Sequence, residues 1–499
     1  MESNSTIKKG IETLKLSDAD IGITHHPGGV YRGETVTISE LALLVKSKQI
    51  SPVEIVHDVL EQIETLNGEL NAYIEVTADK ARKQAAMAEA EIVSGNYRGP
   101  LHGIPVAMIK DIIYFANETT TMGSKIHRDF QPSYNATVVE KLTEAGAVFL
   151  GKLHLHEYAW GATNNNPHFG PARNPWDTER ISGGSSGGTG VATSAHMTIA
   201  SLGTDTGGSI RIPSSFCGIV GLKPTHGLVS KYGCFPLAWS LDHIGPMTKT
   251  VEDAAYVLEA IAGYDPKDPT SIDAPTARYS SQLTESIKGI KIGIEPYFFD
   301  NVDVEVEKAV KNAISSLERE GAIVETVRIP TLQYAQYAEM ITIISEASAI
   351  HHHNLVEREE DFGDDVRFLL KLGEIPSAVD YLQAQQIRLQ LDREFMEIFN
   401  KVDVIITPTL PLLPPKIGQD TVLLNGKEVN FLDHIIRFTG PFNLTGLPAV
   451  TVPCGFAKEL PVGMQIVGPA FGEGKILNVA DVFEKSHPEL KQKPVVLRR

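Results

Sequence analysis

Residues 181–190 read ISGGSSGGTG, with two glycine pairs enclosing two serines. Glycine is unfavourable inside helices and strands because it loses more conformational freedom on folding than any other residue. Glycine pairs at this density predict a segment whose backbone approaches a ligand closely, or one that presents a serine hydroxyl for chemistry. The sequence around the segment decides between these alternatives.

Two familiar glycine-rich patterns fit the segment only in part. A phosphate-binding P-loop requires a lysine directly after its last glycine, but here Thr189 follows Gly188. A nucleophile elbow, G-x-S-x-G, is matched by Gly183, Ser185 and Gly187. It also requires a later acid and histidine and an upstream glycine-rich loop, and no such partners stand out in the sequence. Both patterns are therefore disfavoured.

Five longer segments give a better match. They are GIPVAMIKD (103–111), GGSSGG (183–188), LGTDTGGSIRIPSSFCGIVGLKPTHGLVS (202–230), SLDHIGPMTKTVEDA (240–254) and FNLTGLPAVTVPCGF (442–456). This combination resembles the amidase signature family, and the resemblance extends from about Thr37 to the end of the chain. It implies an amidohydrolase that acts on linear amides, uses no cofactor and takes a small-molecule amide as its substrate.

The resemblance assigns the family's Ser-cisSer-Lys triad to Ser209, Ser185 and Lys110. The two serines are 24 residues apart, which is the spacing that the family usually keeps. In the family the peptide bond before the bridging serine is cis, and here it joins Gly184 to Ser185. The surrounding glycines would let the backbone follow that path.

The chemistry of these residue types agrees with the assignment. A serine hydroxyl is a poor nucleophile and needs a base, and a lysine can be that base only when it is neutral. The run PVAMIKDIIYF (105–115) places Lys110 among apolar residues, where burial disfavours the cation and lowers its pKa. We therefore expect Lys110 to take the proton of Ser185, which takes that of Ser209 as Ser209 attacks the amide carbonyl.

The segment before Ser209 is predicted to form the oxyanion hole. Glycines permit the close approach of backbone N–H groups that a developing oxyanion requires. The predicted donors are the N–H groups of Thr206, Gly207, Gly208 and Ser209. Three further residues match family positions that support this loop by hydrogen bonding: Asp205, Ser186 and Arg211.

The position of the lysine departs from the family pattern. Lys110 follows Pro105 by five residues, whereas the family usually has four, so the chain carries one extra residue in this stretch. A shift of one residue turns side chains to the opposite face of a sheet unless a bulge absorbs it. The 75-residue spacing from Lys110 to Ser185 is ordinary for the family, so a bulge before the lysine is predicted.

Other chemistry-bearing residues receive weaker assignments. Tyr158, Trp160 and Trp239 lie in segments that border the acyl pocket in the family, although large aromatic residues are equally common in cores. No metal site is predicted, because the histidines of HLHEY (154–158) and HHH (351–353) lack the spacing of a ligand set.

The pattern of apolar residues predicts an α/β protein, with a single large mixed β-sheet covered by helices on both faces. Capping boxes at Thr37 and Ser51 begin two early helices. The expected organisation is an N-terminal arm (1–36) and one domain (37–499). Within the domain, residues 37–98 form N-terminal helices, 99–265 carry the triad motifs, and 266–499 complete the fold.

Composition limits the possible partners and location. The formal net charge of −17 disfavours nucleic acid and anionic membranes as partners. The three cysteines form no CxxC pair, and there is no signal peptide or apolar run of about 18 residues. A cytoplasmic protein is expected, and the N-terminal helices could support a homodimer, as in several relatives.

The sequence leaves three functions open. The A subunit of the tRNA-dependent glutamine amidotransferase shares the fold and triad, but it holds the charged groups of glutamine with arginines and an aspartate. Phe368 and Leu369 occupy the first of these places and Ile436 lies near the second, and apolar groups cannot pair a buried charge. A stand-alone amidase for apolar or aromatic acyl groups is therefore favoured, with anilides, esters and carbamates as further candidate substrates. A catalytically inert binding protein is the third alternative.

Overall fold

The computed structural model of the chain describes residues 36–107 and 110–498. The predicted fold class is confirmed, because ten strands form one mixed sheet. In chain order the strands of this sheet are β2 (Pro105–Ala107), β3 (Val148–Phe149), β9 (Ala200–Asp205), β10 (Val220–Lys223), β11 (His243–Thr248), β12 (Lys291–Ile294), β13 (Ile323–Thr326), β14 (Val404–Pro408), β17 (Ala449–Ala457) and β18 (Leu460–Val467).

The strands are arranged in the order β13-β12-β14-β18-β17-β10-β11-β9-β2-β3. Both ends of the sheet are parallel, whereas the strands from β14 to β9 pair antiparallel. Four small two-stranded sheets are formed by β1 (Tyr73–Val76) with β4 (Gly151–Leu153), β5 (Asn165–Asn166) with β6 (Gly170–Pro171), β7 (Arg173–Asn174) with β8 (Asp177–Ile181), and β15 (Thr421–Leu424) with β16 (Lys427–Asn430).

Fourteen α-helices occur in the described part of the chain. They are α1 (Ile38–Lys46), α2 (Pro52–Leu70), α3 (Ala78–Val93), α4 (Thr137–Glu144), α5 (Gly187–Ser194), α6 (Arg211–Cys217), α7 (Val251–Ile261), α8 (Val304–Arg319), α9 (Ala335–Glu357), α10 (Asp364–Leu372), α11 (Ala378–Phe399), α12 (Leu432–Ile435), α13 (Pro441–Leu444) and α14 (Glu473–Ser486). None of them is both long and apolar enough to cross a membrane.

The first two helices begin where the capping signals predicted. Glu40 and Glu54 each accept a hydrogen bond from the backbone N–H of the capping residue, Thr37 and Ser51 respectively. Each capping hydroxyl in turn accepts a backbone N–H of the first turn. These reciprocal bonds satisfy donors that the first turn of a helix leaves free.

Helices pack on both faces of the sheet. Gly463 of β18 faces Ser215 of α6, whereas Gly455 of β17, which pairs with Val462, faces Ala309 of α8. Paired residues point to the same face and successive residues to opposite faces. The helices α6 and α8 therefore lie on opposite sides of the sheet, as the fold class requires.

Local differences from the predicted elements are concentrated near the lysine. The predicted strand 106–115 is wrong in its second half, because residues 111–113 turn back on Lys110 through N–H donation from Ile112 and Ile113 to its carbonyl. The predicted bulge falls on residues 108 and 109, which lie outside the described residues. The arm 1–36 also lies outside them, apart from Val36, and the proposed division of the domain stays a prediction.

Candidate active site

Lys110 lies at the edge of β9, buried and away from water. Its backbone makes a single parallel bridge to Leu153. Its ammonium nitrogen Nζ lies 2.6 Å from Ser185 Oγ and 2.7 Å from Thr204 Oγ1. Complete burial lowers the pKa of Lys110 to about 7, with smaller opposing effects from Cys234, Asp205 and Asp242. The predicted partnership of Lys110 with Ser185 is therefore present, with the lysine close to the boundary between its two charge states.

Ser185 lies on a buried loop that leads into α5. The Gly184–Ser185 peptide bond is cis, as the resemblance implied. Gly183 has φ +79°, and a Cβ on Gly184 would lie 2.6 Å from the carbonyl oxygen of Gly161. Both positions therefore require glycine, one for its backbone conformation and the other for close packing.

Ser209 stands in the turn between β9 and α6, which we call the oxyanion turn (residues 206–209). It is 9% exposed, whereas Ser185 and Lys110 are fully buried, so Ser209 is the triad residue that borders open space. The N–H of Ser186 donates to the Ser209 carbonyl at 3.3 Å and joins the two serine segments. The predicted transfer of the Ser209 proton to Ser185 stays a prediction.

The carboxylate of Asp205 organises the oxyanion turn from within. It accepts the N–H groups of Gly208 at 2.8 Å and Ile210 at 3.2 Å, and it pairs with the guanidinium of Arg211 at 2.9 Å. Burial alone would raise the pKa of Asp205, but the Arg211 charge overrides this and lowers it to about 2. Asp205 and Arg211 thus support the turn as predicted from their positions.

Arg211 also ties the turn to distant segments. Its remaining N–H donors reach the Thr439 carbonyl at 2.9 Å, Gln465 Oε1 at 2.6 Å and Asn443 Oδ1 at 2.6 Å. Thr439 Oγ1 donates in turn to the Gly207 carbonyl at 2.6 Å. The turn is therefore held between its own strand and residues more than 200 positions later in the chain.

These bonds narrow the set of oxyanion donors. The Gly208 N–H, one of the predicted donors, points to the Asp205 carboxylate and is already used. The N–H groups of Thr206, Gly207 and Ser209 have no acceptor among the described residues. All three residues border the cavity beside Ser209, so their N–H groups stay the candidate donors.

An apolar cavity of about 90 Å³ adjoins Ser209. Its walls come from segments that are far apart in sequence. They comprise Ala159, Trp160, Gly161, Ala162, Thr206, Gly207, Ser209, Ile212, Leu237, Met340, Ile343, Leu369, Leu432, Ile435 and Ile436. No charged side chain is among them. Trp160 lies where an acyl-pocket residue was expected. Leu369 and Ile436 are two of the three apolar residues that disfavoured glutamine in the sequence, whereas the third, Phe368, is exposed and does not line this cavity.

A second cavity of about 250 Å³ adjoins the first. The two share Ala159, Thr206 and Leu237. Trp239 lines the second cavity, and so does Thr204, the hydroxyl partner of Lys110. This cavity therefore reaches the lysine side of the triad, whereas the apolar cavity reaches the nucleophile.

Tyr158 lines neither of these cavities. It is buried, its hydroxyl lies 2.7 Å from Nδ1 of His127, and its ring packs against Phe235, His351 and Phe362. The predicted contact of Tyr158 with substrate is therefore not made by this arrangement, because the aromatic cluster holds the ring behind the wall.

The histidines of the two histidine-rich stretches lie in different surroundings. His154 lies 2.8 Å from the Asn164 amide, and His156 lies 2.8 Å from Asp365. His351 is buried in the aromatic cluster around Tyr158, whereas its neighbour His352 is exposed and lies 3.5 Å from Glu374. The side chains of neighbouring histidines therefore lie in different parts of the structure.

Sequence reasoning missed Thr204, Thr439 and Glu339. Thr204 directly precedes Asp205 in the quoted motif, so period-2 alternation along β9 could have suggested it. No sequence motif marks Thr439 or Glu339, because each contacts Gly207 of the oxyanion turn only through the tertiary fold. Glu339 lies on α9, fully buried against Gly207.

Comparisons with known proteins agree with this geometry. Residues 54–477 match the protein-family model described as Amidase. The A subunit of glutamyl-tRNA(Gln) amidotransferase from Carboxydothermus hydrogenoformans is 42% identical over 484 residues, covering 92% of this chain and 99% of that protein. A solved structure described as "An unexpected vestigial protein complex reveals the evolutionary origins of an s-triazine catabolic enzyme" has a TM-score of 0.87 at 33% identity, covering 90% of this chain and 98% of that chain.

A bacterial aryl acylamidase is also similar, with a TM-score of 0.84 at 28% identity, covering 91% of this chain and 97% of that chain. The fold and these matches define the class of protein as an amidohydrolase of the amidase type. The chain belongs to the amidase signature family. It is accordingly an enzyme that acts on amide C–N bonds.

Proposed function

We propose that the chain is an amidase that hydrolyses amides with an apolar or aromatic acyl group through Ser209, Ser185 and Lys110. Neutral Lys110 accepts the proton of Ser185, Ser185 takes the proton of Ser209, and Ser209 Oγ attacks the amide carbon. The free N–H groups of the turn, those of Thr206, Gly207 and Ser209, are the donors available to the developing oxyanion. The C–N bond then breaks, the proton passes back through Ser185 to the leaving nitrogen, and water hydrolyses the acyl-enzyme.

The observation that carries this proposal is the wall of the cavity beside Ser209. Leu369, Ile436 and Met340 offer apolar surface and no charge. A carboxylate or an ammonium group of the substrate would lose its hydration there without gaining a partner, and such a loss costs several kcal/mol. An apolar acyl group gains about 25 cal/mol for each Å² of surface that it buries.

The second cavity suits the leaving group. Thr204 separates it from Lys110, and Trp239 and Tyr232 are among its walls. An amine released there would leave on the side of the base, away from the acyl group bound to Ser209. Anilides and carbamates with aromatic leaving groups are therefore suitable substrates to test beside simple amides.

The curated relatives favour a second candidate function. Their identity of 42% over nearly the whole chain makes a glutamine-hydrolysing A subunit of a tRNA-dependent amidotransferase the alternative. That function would use a partner subunit, and it would require glutamine to bind beside Leu369 and Ile436 without a charged partner from the cavity wall. The two candidates thus make opposite predictions for glutamine.

The test is the release of amine and ammonia by the purified chain alone. Wild type, Ser209→Ala and the control Ser215→Ala are assayed with aromatic amides, anilides, aliphatic amides, carbamates and glutamine. Ser215 is a buried serine of α6 that faces Gly463 rather than the turn. Turnover of apolar substrates that is lost only in Ser209→Ala supports the proposed amidase.

Turnover of glutamine alone would favour the amidotransferase alternative, and the assay would then be repeated with candidate partner subunits. A chain without turnover that also resists labelling of Ser209 by a fluorophosphonate would contradict both candidates. That result would favour the inert binding protein, because the fluorophosphonate requires an activated serine but no particular acyl group.

A further inference from the structure

Glu339 carries a buried carboxyl group whose oxygen atoms form no hydrogen bond with the described residues. It lies near the start of α9, one residue before the cavity residue Met340, and its side chain is fully buried. An unpartnered buried polar group costs about 1–3 kcal/mol, so its presence beside the active site calls for a physical reason.

The carboxyl group occupies a slot formed by two glycines. A Cβ on Gly207 would lie 2.7 Å from Oε1 of Glu339, and a Cβ on Gly440 would overlap Oε2. Gly440 has φ −58° and ψ −40°, which any residue adopts, so the carboxyl and not the backbone excludes a side chain there. Glu339 thus fills the space between the oxyanion turn and the segment that leads into α13.

The surroundings of Glu339 favour its neutral form. Burial raises the pKa of Glu339 well above its usual range; the Asp205 carboxylate acts in the same direction, and Arg211 opposes both. The phenol of Tyr297 is the further titratable group close enough to interact. The Nε, Nη1 and Nη2 atoms of Arg211 already donate to other acceptors, so the guanidinium is no partner for Glu339.

We propose, on the basis of the function proposed above, that Glu339 is a positioning residue for the oxyanion turn and acts as a neutral carboxylic acid. Its carboxyl fills the Gly207–Gly440 slot and prevents the turn from moving away from the substrate carbonyl. A neutral group suits this place, because a negative charge beside Gly207 would oppose the charge that develops on the substrate oxygen.

The first test measures the protonation state and needs no activity. Infrared difference spectra of wild type minus Glu339→Gln are recorded at neutral pH. We expect the carbonyl stretch of a protonated carboxylic acid to be present in wild type and lost in the variant. The control is Glu346→Gln, which removes another buried carboxyl from α9 that is hydrogen-bonded to Ser240 and Tyr381. A wild-type spectrum without that band for Glu339 would overturn the proposal.

The second test asks whether filling the slot matters for catalysis. Glu339→Gln keeps the shape and should hold kcat within about threefold of wild type, whereas Glu339→Ala empties the slot. A misplacement of about 1 Å at an active site lowers the reaction rate by about a hundredfold. We therefore expect kcat of Glu339→Ala to fall by about tenfold to a hundredfold, with KM nearly unchanged. Equal loss in both variants, or no loss in Glu339→Ala, would overturn the positioning role.

A double-variant cycle tests the slot itself. Gly440→Ala forces a methyl group onto the carboxyl and should reduce kcat by at least about tenfold, and adding Glu339→Ala should recover most of that loss. Gly68→Ala in α2 is the control, because a Cβ there meets nothing within 4 Å. If the kcat losses of the two single variants simply multiply in the double variant, the shared slot is contradicted. Thermal melts establish that each variant is folded.

Fluorophosphonate labelling of Ser209 separates this proposal from the function on which it rests. The label is applied to wild type and to each variant. Labelled wild type with slower labelling of Glu339→Ala supports the positioning role. Failure to label wild type would overturn the proposed function, and the positioning role with it, but would leave the measured protonation state of Glu339 unaffected.

Discussion

At the scale of single residues, the proposed mechanism depends on the charge state of Lys110. Only the neutral amine can accept a proton from Ser185, and burial brings the pKa of Lys110 to about 7. We predict that kcat/KM rises with pH through about 7 and falls about tenfold for each pH unit below it. The measurement is a pH profile of kcat/KM with the best apolar amide, since that ratio reports the free enzyme.

Lys110→Met supplies the control for this profile. Removal of a general base costs about a hundredfold to ten-thousandfold, and the remaining activity should lose the rise near pH 7. A wild-type profile that is flat between roughly pH 6 and pH 8, or a rise that persists in Lys110→Met, would show that another group is the base.

Thr204 should matter because it is the second partner of Lys110. Thr204→Val keeps the shape of the side chain but removes the oxygen that lies 2.7 Å from Nζ, so the amine is no longer held toward Ser185. A lost hydrogen bond is worth about 1 kcal/mol, and we expect kcat/KM to fall about fivefold. Steady-state kinetics measure this.

The matched control is Ser201→Ala on the same strand. Ser201 bonds to Thr193 and to the Met247 carbonyl and has no contact with the lysine, so its activity should stay within about twofold of wild type. A similar loss in both variants would mean that the effect comes from the strand and not from the lysine.

At the scale of elements, the junction between β9 and α6 determines where the nucleophile stands. Asp205 ends the strand, Arg211 begins the helix, and their fully buried ion pair closes the turn between them. We predict that Arg211→Met destabilises the protein by about 3–5 kcal/mol, because the Asp205 charge is left buried without its partner. Urea unfolding at neutral pH measures the loss.

The pH dependence of that loss follows from the lowered pKa of Asp205. With a folded pKa of about 2 against the usual 3.8, Asp205 contributes stability above about pH 4 that disappears as the pH falls toward 2. The difference between wild type and Arg211→Met should therefore shrink over that range. A difference independent of pH, or none at all, would contradict this account.

The elements themselves were predictable where their signals are local. The capping boxes at Thr37 and Ser51 are properties of neighbouring residues, and they gave correct helix starts. The end of β2 was not predictable, because the apolar run after Val106 suits a strand, but residues 111–113 are turned by bonds to Lys110. In that stretch a local turn replaces the strand, and its residues bond to distant segments, because the Asp111 N–H donates to the Leu153 carbonyl and the Ile112 carbonyl accepts the N–H of Phe235.

At the scale of the whole molecule, substrate selectivity should follow the size of the apolar cavity. Ile343 of α9 faces it, whereas the equally buried Ile344 does not line it. We predict that Ile343→Ala shifts the preference toward acyl groups one or two methylenes longer, by about tenfold in relative kcat/KM. A homologous series of acyl amides measures the shift.

Ile344→Ala is the control, since it removes the same side-chain atoms from the core beside the cavity. It should lower stability by about 2–5 kcal/mol and leave the order of preference unchanged. The same shift in acyl-chain preference in both variants would indicate general loosening of α9. No shift in either variant would mean that the acyl group does not bind in this cavity.

The sequence by itself determined the family, the α/β class, the residues proposed as the triad and the apolar character of the places held by Leu369 and Ile436. Those properties reside in short motifs, where each residue type is required by its own backbone or its own chemistry. Only the tertiary structure decided that Gly208 donates to Asp205, that Tyr158 stands behind the wall, and that Glu339 fills the slot at Gly207. The contacts of Tyr158 with His351 and of Glu339 with Gly207 join residues far apart in the chain, where burial and packing act between whichever atoms the fold brings together. Gly208 and Asp205 are only three residues apart, but their bond depends on the backbone path of the turn, which no residue type in the motif specifies by itself.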